Sequence, residues 1–141
     1  MKKTAANYRA MREACGLTTG DIMDEAGVSR TSAKRWERGT DPVPEDVWQM
    51  VLDIKAEIEY EAREYASQLA AEVHAAQAEH PDAEVSVPIV YYRSQAELDA
   101  AQLAEGFDYP VGVVNAKSRL VFDKLRAMGI EAEFVYRRAE A

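Results

Sequence analysis

Apolar positions along this chain recur in two rhythms, one of three to four residues and one of two, and their order predicts its elements. Tyr8, Met11 and Cys15 lie on one face of a helix over residues 5–15, and Gly16 ends it. Thr18 is placed to cap a second helix, with Asp21 favouring the positive end of its first turn and Ile22, Met23 and Ala26 facing inward. The turn Gly27-Val28-Ser29 puts Val28 in the core and Ser29 at the next N-cap. Ala33 and Trp36 then face inward, leaving Arg30, Thr31, Lys34 and Arg35 outward before Gly39 closes the third helix. The stretch from Thr40 to Pro44 cannot be helical, because its two prolines restrict the residues before them. Neither glycine nor proline occurs from Glu45 to Glu79. Apolar or small residues fall there at Val47, Val51, Ile54, Ile58, Ala62, Tyr65, Leu69, Val73 and Ala76, with a mean step of about 3.6, the period of a straight helix. One helix of about 50 Å fits the pattern, and so does a pair broken near residue 55.

After His80-Pro81-Asp82 the rhythm changes. Val85 to Arg93 reads as a strand, with Pro88 indicating an edge. Ser94-Gln95-Ala96-Glu97 fits a capping box that opens a helix to about Glu105. Gly106 to Val113 reads as a loop containing Pro110, and Asn115 as the cap of a last helix through Met128. Gly129 ends that helix, and an alternating strand follows with Ile130, Ala132, Phe134 and Tyr136 on one face. The fold class expected is mainly α with a small α/β C-terminal unit. It comprises an N-terminal helix-turn-helix bundle (1–55), a connecting helix (56–84) and a C-terminal β-α-α-β unit (85–141). The last unit is too small to bury much, so it should lean on the long helix or on a second copy.

Charge sharpens this picture. The net charge is −8, yet residues 1–40 carry a balance of +3, residues 41–85 of −10 and residues 86–141 of −1. Phosphate attraction follows the local field, so a cationic head remains compatible with double-stranded DNA. A short basic helix braced by another is the device that carries side chains into the major groove. No apolar run approaches the roughly 20 residues of a membrane span, and Lys2 and Lys3 precede no signal-like segment, so a cytoplasmic protein is expected. Cys15, the only cysteine, fits a packing role in a reducing compartment. His74 and His80 lack a cysteine near them, no phosphate-cradling glycine loop follows a strand, and no nucleophile–base arrangement can be named. No catalytic residue, metal or cofactor is expected.

Over about residues 8–55 the chain resembles the helix-turn-helix of Cro/C1-type repressors, the XRE-like class. The matching residues are Arg12, Gly16-Leu17, Gly27-Val28-Ser29 and Trp36-Glu37-Arg38-Gly39, in register and without gaps. The resemblance implies a structural ion pair between Arg12 and Glu37. It implies base contacts from Arg30, Thr31, Lys34 and Arg35, and phosphate contacts from Thr18, Thr19, Ser32, Arg38 and Thr40. The family often has glutamine where this chain has Thr19, followed here by Gly20. Thr19 can reach a phosphate but cannot make a bidentate contact to adenine. More narrowly, the junction from Trp36 through Val43-Pro44-Glu45-Asp46-Val47 is similar to the YdiL-like and anti-CRISPR-associated autorepressors. That resemblance implies a homodimer joined through the C-terminal portion, although the closing strand departs from it. Two functions stand as expectations: a dimeric (auto)repressor reading an inverted repeat, and an antitoxin or adaptor that binds a protein partner through its C-terminal unit.

Overall fold

The structure, a computed structural model, describes residues 1–105 and 109–137. Its elements run α1 (Ala5–Ala14), α2 (Thr19–Ala26), α3 (Arg30–Arg38), α4 (Glu45–Glu79), β1 (Val87–Tyr91), α5 (Gln95–Glu105), α6 (Val111–Ala127) and β2 (Ala132–Tyr136). The fold class is as expected: mostly helical, with an N-terminal helix-turn-helix and a small sheet near the C-terminus. That sheet has two strands, β1 and β2, paired in parallel with Val87 beside Ala132 and Ile89 beside Phe134. Parallel pairing requires the crossover that α5 and α6 supply.

α4 is a single helix of 35 residues, so the break considered near residue 55 is absent. Pro44 precedes its first residue and Glu45 and Asp46 sit in its first turn, where their charges complement the helix dipole. Its buried face is Val47, Trp48, Val51, Ile58, Ala62, Ala66, Ala70 and Val73. The inward placement expected of Tyr65 is therefore wrong. Tyr65 is 49% exposed, and Ala66 takes the inward position, because small residues let α6 pack closely against α4.

Two hydrophobic cores follow from this arrangement. The first gathers Tyr8, Cys15, Leu17, Ile22, Ala33, Trp36, Val47, Trp48 and Val51 with Ile58, Val113 and Ala116, so α6 completes the core of the N-terminal helices. Burial, with Glu37 nearby, pushes the Tyr8 phenol up to about 12. Burial also pushes the Cys15 thiol up, which keeps it an inert packing residue. The second core packs Ala62, Ala66, Ala70 and Val73 of α4 against Val121 and Leu125 of α6 and Val87, Ile89, Ile130 and Ala132 of the sheet region.

The C-terminal unit departs from the sequence expectation in several places. α6 begins at Val111 behind Pro110, so Asn115 lies inside the helix and is no cap. Asn115 is buried and its amide binds both backbone groups of Tyr92: the Tyr92 N–H donates to Oδ1 at 3.0 Å, and Nδ2 donates to the Tyr92 carbonyl at 2.9 Å. The expected loop at Gly106–Val113 is helical from Val111, and its residues 106–108 lie outside the described residues. Ser94 Oγ accepts from the Glu97 N–H at 3.2 Å, while the Glu97 carboxylate accepts from Arg93 Nε at 2.9 Å in place of the reciprocal bond of a capping box. Ile130 and Ala132 are buried, but Phe134 and Tyr136 are 41% and 59% exposed, so the strand's inward face runs out toward its end.

Candidate nucleic-acid interface

The local sequence builds the basic helix in steps. Thr18 and Asp21 cap α2 reciprocally: the Asp21 N–H donates to Thr18 Oγ1 at 3.1 Å, and the Thr18 N–H donates to Asp21 Oδ2 at 2.8 Å. The sequence reading gave Asp21 only a dipole role. Gly27 closes α2 at φ +65°, in the left-handed region that suits glycine. Ser29 Oγ then accepts from the Ser32 N–H at 3.2 Å and starts α3. Gly39 ends α3 in the same left-handed way.

α3 is sharply two-faced. Ala33 and Trp36 are buried in the first core. At about 100° per residue, Arg30, Lys34, Arg38, Thr31 and Arg35 span an arc of roughly 140° on the other side. All five are exposed, as is Thr40 just beyond the helix. Thr18 is exposed at the N-terminus of α2, and Thr19 and Ser32 are half-buried. The Thr18 hydroxyl accepts in its cap, which leaves its proton to be donated outward. The Arg35 guanidinium lies 3.6 Å from Asp41, with both side chains about half exposed. An exposed pair of this kind contributes about 0–1 kcal/mol, so it holds Arg35 only loosely. Sequence reasoning missed Asp41, although its place just after the helix was a usable signal.

One salt bridge fixes α3 against α1. Arg12 Nε donates to Glu37 Oε1 at 2.5 Å, and Arg12 Nη1 donates to the Leu17 carbonyl at 2.7 Å. Both side chains are mostly buried, so each depends on the other for compensation; such a pair secures geometry more than it adds stability. The result is a rigid platform. α1, α2 and the start of α4 bury one side of α3 and leave the cationic arc in solvent.

Elsewhere, a groove of about 750 Å³ lies between α4, β1 and α6, with Tyr60, Tyr65, Val90 and Val121 among its lining residues. Among the described residues, no group of three His, Cys, Asp or Glu side chains could hold a metal ion. Among the same residues, no helix is long and apolar enough to cross a membrane. No curated protein matches the chain. Residues 6–54, from α1 into the opening turns of α4, match the family model of a helix-turn-helix domain.

Proposed function

We propose that this protein is a sequence-specific DNA-binding transcription regulator, acting as a homodimeric repressor on an inverted repeat. The observation that carries the reading is the exposure of the whole cationic arc of α3 while the opposite face is locked in the core. Arg30, Thr31, Lys34 and Arg35 read base edges in the major groove, where an arginine can bond two acceptors of guanine. Thr18, Thr19, Ser32, Arg38 and Thr40 flank them and contact phosphates, setting register. The N-terminus of α2 favours a phosphate there as well. Residues 1–55 are the reading unit, 56–84 the link and 85–141 the unit through which two copies associate in the cytoplasm. Two copies about a two-fold axis supply the base contacts that one unit lacks, with half-sites about 34 Å apart. Bound over a promoter, its own included, such a dimer excludes polymerase.

The test is a gel-shift and anisotropy titration with DNA from upstream of the gene encoding this chain. The wild-type protein should bind one fragment specifically, with an affinity that falls steeply as salt rises. Arg35→Ala should weaken specific binding by roughly 5- to 150-fold while leaving the circular dichroism spectrum and oligomeric state unchanged. An unaltered operator affinity would reject the assignment of Arg35. A second reading, an adaptor or antitoxin for a protein partner, draws on the tyrosine-lined groove between α4 and the C-terminal unit. Co-purification of a small protein encoded beside this gene, together with no shift of any upstream fragment, would favour it.

A further inference from the structure

The two edges of the small sheet are chemically unequal. Within a strand, successive residues turn their N–H and C=O groups to opposite sides. The Val87 N–H donates to the Glu131 carbonyl at 2.9 Å, so Val87 and Glu131 point at each other across the pair. It follows that Pro88, Val90 and Tyr92 turn to the outer edge of β1, and Ala132, Phe134 and Tyr136 to the outer edge of β2. The β1 edge is blocked: Pro88 has no N–H, the Val90 carbonyl accepts from Ser118 Oγ at 3.1 Å, and the Asn115 amide takes both backbone groups of Tyr92. On the β2 edge, among the described residues, nothing bonds the outward N–H and C=O groups of Ala132, Phe134 and Tyr136. That strand contains no proline and a single charge, Glu133. Two of its outward residues carry half-exposed aromatic rings.

We propose that β2 of a second copy completes this edge, giving one four-stranded sheet across a two-fold axis. The proposal rests on the reading that two copies act together, and it names the surface that joins them. A two-fold axis forces the two β2 strands to run antiparallel. The charge pattern then selects a register centred on Phe134. This register pairs all five residues of β2, with Phe134 opposite Phe134, Ala132 opposite Tyr136 and Glu133 opposite Val135. Moving the centre one residue toward the N-terminus sets Glu133 against Glu133, and moving it two sets Glu131 against Glu133, both repulsive. Moving it toward the C-terminus carries Ala132 past the end of the opposing strand.

The aromatic side chains fit the same register. Phe134 already stacks on Phe122 of α6 with centroids 4.6 Å apart and meets Tyr91 edge-on at 5.5 Å. Directly opposite residues share a face, so the two Phe134 rings become neighbours and join two such stacks. A two-stranded sheet alone is marginal in water, and doubling it relieves that weakness.

The test uses the full chain without DNA. Sedimentation velocity over a concentration series should show a monomer–dimer equilibrium. Tyr136→Pro removes one outward donor per copy and leaves the β1–β2 ladder intact, so it should raise the dimer Kd at least about tenfold with an unchanged circular dichroism spectrum. In a second measurement, Phe134→Cys should oxidise to a covalent dimer, because directly opposite α-carbons fall within disulfide reach, and Glu133→Cys should link far less. The assignment is overturned by a chain that stays monomeric throughout. It is equally overturned by a dimer that Tyr136→Pro leaves unmoved and that links no better through position 134 than through 133. The upstream DNA shift, measured separately on wild-type protein, tests the regulator reading by itself.

Discussion

At residue 112 a hydrogen atom in place of a methyl group sets how closely α6 approaches the N-terminal helices. A β-carbon there would lie 2.1 Å from the Gly16 carbonyl oxygen, a backbone atom that cannot swing aside. Glycine inside a helix ordinarily costs about 0.5–1 kcal/mol against alanine, so propensity alone favours replacing it. Gly112→Ala should nevertheless destabilise the protein, by about 1–3 kcal/mol, because the clash overrides propensity. Gly20→Ala should have the opposite sign. A β-carbon at 20 meets only Thr18 Oγ1, at 3.6 Å, and a gain of up to about 1 kcal/mol is expected. Thermal unfolding of the two variants followed by circular dichroism checks both signs. Gly16 was recognisable in the sequence as a helix stop, and its left-handed φ of +75° agrees. Nothing local announced that Gly112 would face it, because that contact belongs to tertiary packing.

At the scale of elements, the helices of the N-terminal part were readable because each carries its own start and stop: Thr18, Ser29, Gly27 and Gly39 act on their immediate neighbours. The extent of α4 was readable too, since a sustained period of about 3.6 needs no knowledge of its partner, although the same period fitted a break near residue 55. Beyond Ile58 its face was readable only in part: Ala62 and Val73 are buried where the period places them. Alanine gives a weak hydrophobic signal, and only the proximity of α6 makes Ala66 and Ala70 fully buried positions in place of Tyr65 and Leu69. Asn115 misled for a related reason. A small polar residue near a helix start resembles a cap, whereas here it reaches across to the backbone of Tyr92. On the cationic side of α3, residue order sufficed to say which side chains lie outward, and the place of Asp41 just after the helix was a signal left unused. Ala66→Leu should force α4 and α6 apart and cost about 1–3 kcal/mol. Tyr65→Ala, one residue away, should stay within about 0.5 kcal/mol unless the groove is occupied. Urea denaturation midpoints compare the two directly.

For the molecule as a whole, the first core crosses the boundary that the sequence placed at residue 55. Val113 and Ala116 are buried among side chains of α1 to α4, and Tyr109 and Leu120 pack against the same cluster. A fragment ending at residue 55 exposes the surface those side chains cover. Its helix-turn-helix should lose at least roughly 3 kcal/mol relative to the intact chain, because Ile58, Val113 and Ala116 no longer cover it. Comparing the fragment with the full chain by thermal melts and by amide dispersion in NMR spectra checks this; equal melting temperatures would show that α6 contributes nothing.

The sealed flank of the sheet also limits what concentrated protein can become. A ribbon able to accept a neighbour on one side alone is finished after a single addition, because the newcomer offers the same closed margin at its far end. Runaway stacking into fibrils therefore has no second handhold, and crowding should yield discrete particles in solution, never a gel.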